Sequence, residues 1–287
     1  MAFGSLFGPK GKLALQAQDS CLPGELIPIG IQVTIDNEIK PREVRAELVG
    51  EETFYVTETR HSGGHVSTQT VQKNEIFASL IETLAEQPSL YKGVEQKWGC
   101  FLKLPSEAPP TCRGKLVNIR WKLKAVLDVP KSIDLSREKP LIVFCQPRDG
   151  GGTADWPARQ TFSEVTLVME APPAASAGDT LICHLILQAK EKLSIRGIRG
   201  ELVRIEEAGV RRDDEVISKT QVSGAGSFWP NESPSFEFSL DIPAEAPPTA
   251  ACRRSSLRWK VRAVIDRRMK ADFNVEQELY VYNSPSS

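Results

Sequence analysis

Few residues in this chain have types and spacings that could do chemistry, and they are scattered. His61 and His65, in HSGGH, present two imidazoles across a short flexible spacer, which is half of a metal site. A metal centre needs further ligands at compatible spacing, and no Cys or Asp/Glu cluster accompanies this pair. His184 stands alone on an alternating stretch. Ser62, Ser223 and Ser227 lie beside glycines in polar turns with no placed His and Asp, and the GxSxG pattern is absent. Gly150, Gly151 and Gly152 lack the lysine and the following helix of a phosphate loop. The carboxylates are dispersed along the chain, and none can be assigned an acid–base role. The sequence therefore predicts no catalytic residues, no metal and no cofactor, and the chain is expected not to be an enzyme.

The denser chemistry is basic. Residues 253–270 hold eight Lys/Arg against one acid, Asp266. On a strand, Arg258, Lys260 and Arg262 share one face at two-residue spacing. Arg120, Lys122 and Lys124 form the same ladder earlier in the chain. These six residues are the candidate partner contacts. They suit a phosphorylated or acidic ligand, or an anionic membrane surface, through charge-assisted hydrogen bonds. They equally suit a solvated strand face on which a neighbouring strand supplies an acid opposite each cation.

The elements that carry these ladders occur twice. Residues 104–128, LPSEAPPTCRGKLVNIRWKLKAVLD, return as residues 242–266, IPAEAPPTAACRRSSLRWKVRAVID, with 12 identities in 25 positions at an offset of 138. A second match, at an offset of 154, lays residues 177–203 on residues 23–49. A period near half the chain means two similar domains. The difference in offset places about 16 extra residues in the first copy, between residues 53 and 97.

Local patterns in both copies are those of strands. Ile27, Ile29, Ile31, Val33 and Ile35 alternate without a break, which buries one face. Ile119, Trp121, Leu123, Ala125 and Leu127 point inward by parity, as do Leu257, Trp259, Val261, Ala263 and Ile265. The Pro23-Gly24 pair makes a turn, and the two APPT segments stop strands because proline cannot continue a ladder. Residues 60–69, polar and Gly-rich, are expected to form a long mobile loop. Residues 74–87 have helical spacing of Ile76, Phe77, Leu80, Ile81 and Leu84, but the matching stretch 215–222 is β-branched. Symmetry between the copies favours a strand there, since intrinsic propensity is a weak guide.

Bulk properties agree with two soluble domains. The chain has 287 residues, 40% hydrophobic and 25% charged, with a net charge of −1. No global basic field points to nucleic acid. No run approaches the roughly 18 apolar residues of a membrane span. The N-terminal apolar patch is too short for a signal-peptide core, so a cytoplasmic location is expected. Six scattered cysteines without CxxC spacing are expected to stay reduced. The domain boundaries expected from the repeat are 1–147 and 158–287, joined by a Gly-rich hinge at 148–157.

An opening strand leading to PGE, an alternating strand, a strand ending in LPSEAPPT and an RWKLKAVLD strand together resemble an arrestin-fold domain. Two in tandem resemble the arrestin-like superfamily, over nearly the whole chain, from about Lys10 to Tyr282. That superfamily includes the microbial arrestin-like and sporulation-control proteins and the arrestin-shaped retromer subunit. The resemblance implies an all-β fold of two tandem immunoglobulin-like (arrestin-fold) β-sandwich domains, and a non-catalytic adaptor or scaffold that binds protein partners. Peripheral membrane contact or phospho-ligand binding through the basic strand faces is the alternative. No PPxY sequence follows the Pro-Pro pairs, so recruitment of ubiquitin ligases is not implied. Addition of a partner strand to an exposed sheet edge is the natural binding mode for such a domain.

Overall fold

The structure is a computed structural model and describes residues 10–62, 65–146 and 157–283, with only the backbone described at 61, 62 and 65. Every regular element among the described residues is a β-strand. Two compact units result. The first comprises Met1–Thr53, Gln72–Thr111 and Asn118–Phe144, and the second comprises Phe54–Val71, Cys112–Val117 and Cys145–Ser287. The expected hinge at 148–157 lies outside the described residues, apart from Pro157.

In the first unit, Leu26–Ile35 is the central strand of a three-stranded sheet, flanked by Gly11–Ala17 and Gln96–Lys103. The second sheet runs, in spatial order, Ser20–Cys21, Leu135–Val143, Asn118–Asp128, Glu43–Ser62, His65–Glu86. The odd positions from Ile27 to Ile35 are buried, and they meet Val44, Ala46, Leu48, Trp121, Leu123, Ala125 and Leu127 in one core. A period of two thus places one face of each sheet in the interface between them.

The second unit repeats this plan. A four-stranded sheet in the order Ala158–Thr161, Val165–Glu170, Thr180–Ala189, Ser235–Asp241 is joined by a sheet ordered Ala174–Ser176, Phe273–Tyr282, Ser255–Asp266, Gly197–Ala208, Arg211–Ser223. Leu257, Trp259, Val261, Ala263 and Ile265 are all buried, as parity requires.

The two units share the same hydrogen-bonded framework. Arg42 grips Asp128 at 2.9 Å and Arg196 grips Asp266 at 2.7 Å. Glu25 accepts the Leu22 N–H at 2.9 Å, and Asp179 accepts the Ser176 N–H at 2.8 Å. Gly24 and Gly178 hold φ of 86° and 92°, a left-handed turn that only glycine adopts without cost. The APPT segments are tied down as well. The Val143 N–H donates to the Thr111 hydroxyl and the Val281 N–H to the Thr249 hydroxyl, both at 2.9 Å.

The structure corrects the loop expected at 60–69. The chain is in strands up to Ser62 and again from His65, so the extra residues of the first copy lengthen a hairpin. Its arms have 20 and 22 residues, against 12 and 13 in the second copy. Val66, Thr68, Thr70 and Val71 supply β-branched residues, and the polar neighbours suit an exposed strand. Residues 74–86 are strand, as symmetry between the copies favoured. The helical look has a local cause: Phe77-Ala78 and Leu84-Ala85 are each partly buried in succession, so the inward parity changes twice.

Within the second unit, residues from the long hairpin join the sheet at Gly209. The Tyr55 carbonyl accepts the Val210 N–H at 3.0 Å. Gly209 has a φ of 61°, and a Cβ there would come within 2.0 Å of the Tyr55 oxygen, so both backbone shape and space demand glycine.

Candidate functional site

The two basic ladders fold onto the outward face of the central strands Asn118–Asp128 and Ser255–Asp266. Both strands have neighbours on either side, and these neighbours carry acids. Lys122 Nζ lies 2.8 Å from Glu51 and 3.6 Å from Glu138. Arg120 reaches Glu51 at 3.8 Å, and Lys124 pairs in register with Glu47 on one side and Glu138 on the other. In the second unit Arg258 meets Glu207 at 3.1 Å, Lys260 meets Glu276 at 3.0 Å, and Arg262 meets Glu201 at 2.6 Å.

These contacts set the electrostatics of the faces. The hydrogen bond to Glu51 raises the Lys122 ammonium above its ordinary range. Burial opposes ionisation of Glu201, yet the hydrogen bonds and charges of Arg199 and Arg262 outweigh it and hold that carboxyl low. Each ladder is thus a cross-strand network of alternating sign. Arg120 keeps the most open side chain of the six, at 55% exposure.

The most enclosed acid of the described chain carried no signal in the sequence. Glu206 is fully buried in the second unit. Its carboxylate accepts the backbone N–H groups of Lys115, Leu116 and Val117 at 3.0, 2.7 and 3.0 Å. Arg204 Nε lies 2.9 Å from the same carboxylate, and its Nη2 reaches Glu215 at 2.7 Å. A Cβ at Gly114 would stand 2.4 Å from Glu206, so the turn that offers three N–H groups needs its glycine. Successive N–H groups converging on a carboxylate form an anion nest, already filled by the protein's own side chain. The nest joins the segment Cys112–Val117 to the strand Gly197–Ala208, and only the tertiary fold brings them together.

The remaining candidates do not assemble. No group of three His, Cys, Asp or Glu side chains among the described residues could hold a metal, and the side chains of His61 and His65 lie outside the described set. His184 is on the outer face of its strand, 4.0 Å from Glu237. No disulfide links any cysteine. Burial pushes the Cys21 thiol up to about 11 and the Cys112 and Cys183 thiols up to about 12, so these stay protonated and poorly nucleophilic at neutral pH. Among the described residues no helix is long and apolar enough to cross a membrane.

The two units are β-sandwiches built on one repeated framework. Residues 18–148 match the family model described as Arrestin (or S-antigen), C-terminal domain. The match and the all-β architecture are consistent with an arrestin-like superfamily protein. The model of a C-terminal domain here matches the first copy of the repeat. No curated protein matches the chain.

Proposed function

We propose that this chain is a non-catalytic, cytoplasmic adaptor or scaffold that acts through protein–protein contact. The observation that carries this reading is how the side chains are used. Five of the six ladder cations meet an acid across strands, whereas large apolar side chains stand on outer sheet faces. Leu26 is 60% exposed, Phe101 68% and Ile182 57%. Exposed apolar residues on a rigid sheet, rimmed by polar ones, fit a binding surface for another protein. Arrestin-like domains as a family bind protein partners, which supports the same reading. The chain is proposed to divide at 1–147 and 158–287, with 148–157 as the connecting hinge, which limited proteolysis would cut first.

Affinity capture with the intact chain, followed by reciprocal capture from the partner's side, tests the proposal. A reproducible partner that survives both directions is expected. Reproducibly empty captures would overturn it. Flotation with anionic vesicles that is lost in Arg258→Glu with Lys260→Glu would instead assign the function to the basic faces. The geometry gives that outcome less support, because those cations already meet Glu207 and Glu276.

A further inference from the structure

The outer face of the three-stranded sheet in the first unit carries an open trough of about 410 Å³, lined by Gln16, Pro28, Gly30, Gly99 and Phe101 among others. Gly30 and Gly99 pair directly across the central and edge strands, and Gln16 pairs with Gly30 on the other side. The floor of the trough is therefore the row Gln16, Gly30, Gly99.

Neither backbone shape nor packing requires those glycines. Neither has a left-handed φ. A Cβ on Gly30 would meet nothing closer than 3.6 Å, and one on Gly99 nothing closer than 3.5 Å, both ordinary contacts. Glycine within a strand weakens it, and its presence marks places where a ligand or another backbone comes close. The second unit supplies an internal control. Its corresponding row is Glu170, His184, Glu237, paired in the same order. The sheet accepts full side chains at these positions, yet the first unit leaves them empty.

The surroundings specify an occupant. The outward side chains of the three strands include Lys12, Lys97 and Lys103 and no acid, although Lys97 also contacts Glu95 at 2.8 Å beyond the strand's start. The twin face of the second unit instead carries Glu170, Glu237 and Asp241, so the basic character belongs to this face and not to the fold. Gln96–Lys103 is the last strand of its sheet and pairs on one side only. Phe101 and Leu26 stand exposed beside it.

We propose that this trough binds an extended acidic peptide of a partner protein, which adds along the Gln96–Lys103 edge and seats one bulky apolar side chain over Gly30 and Gly99. The inference rests on the adaptor reading and names its contact surface. Backbone pairing at the edge supplies affinity, the trough selects the apolar residue, and the lysines select the acidic flanks.

The test uses the intact chain and labelled hexapeptides Asp-Glu-Glu-X-Glu-Asp, with X as Phe, Trp, Leu or Ala, read by fluorescence anisotropy. Phe, Trp or Leu should bind at least about tenfold tighter than Ala, and added salt should weaken all of them. Gly99→Val fills the trough with a strand-favouring side chain and should abolish the preference for a bulky X. Gly30→His with Gly99→Glu copies the twin row and should do the same. Phe101→Ser, on an exposed side chain, provides the test if either glycine variant fails to fold. Peptides that do not bind wild type, or that bind Gly99→Val equally well, would overturn the proposal. Self-association of wild type that Gly99→Val removes, without peptide binding, would overturn it in favour of a second copy as occupant. A captured partner that still binds Gly99→Val sinks this site while leaving the adaptor reading intact.

Discussion

Trp121 donates its indole N–H to the carbonyl of Pro109 at 2.9 Å, across the APPT segment that ends the preceding strand. Trp259 makes the same bond to Pro247 at 3.1 Å. Each tryptophan is buried in its sandwich and also anchors the proline loop that proline itself leaves short of a donor. The repeat conserves this bond between its copies because one side chain closes the core and satisfies a loop carbonyl together. Trp121→Phe keeps most of the apolar volume but strands the Pro109 carbonyl. A loss of about 1–3 kcal/mol is expected from urea unfolding, with a similar loss for Trp259→Phe.

Glu206→Gln should be among the costliest single-atom-scale changes in the chain. It removes the charge that three backbone N–H groups and Arg204 share, and leaves the poorly exposed Arg204 guanidinium with Glu215 as its one remaining acid. Loss of one member of a buried pair costs about 3–5 kcal/mol. Glu207→Gln, one residue on and 38% exposed, should stay within about 0.5 kcal/mol by the same measurement.

Acid should weaken the fold through Glu201. Its carboxyl is held below the ordinary range, so in acid the unfolded chain takes up the proton before the folded one. The stabilisation is therefore complete above about pH 4.5 and is lost as pH falls through the folded-state value. Glu164, beside Lys270 and Arg267, and Asp214, beside Arg212, move in the same direction. Arg262→Met should flatten the acid limb of stability against pH, measured by urea midpoints. An unchanged limb would show that this pair does not set it.

Gly50→Ala should overpack the first core. A Cβ there would stand 2.6 Å from the Phe77 ring and 3.0 Å from Trp121, whose rings already meet edge-on at 5.1 Å. A loss of about 1–3 kcal/mol is expected. Phe77→Leu in the same chain should recover part of it, because it clears the atoms in conflict.

Thiol labelling of native protein near pH 8 should spare Cys21, Cys112 and Cys183. All three are buried, and burial holds each proton on sulfur. Cys100 and Cys252 are only partly buried and should label first, with mass mapping of peptides as the readout. Early labelling of Cys112 would contradict the packing around it.

Much of the architecture was legible from the chain alone, because burial in a sandwich has a period of two. Ile27 to Ile35, Trp121 and Trp259 announce their inward faces through neighbours one or two residues away, and the repeat announces that the plan is used twice. The loop expected at 60–69 failed for a related reason. Polar residues in an exposed hairpin look like a loop when read locally, and only pairing with the other arm makes them strand.

The acids that answer the basic ladders, the three N–H groups that meet Glu206, and the row Gln16, Gly30, Gly99 could not be found that way. Their partners arrive from strands tens of residues distant, in a register that depends on how the sheets close. Sequence alone thus determined which side chains face in and which face out. Tertiary structure decided which outward charges are neutralised and where a sheet face is left open, because register couples residues that no local pattern connects.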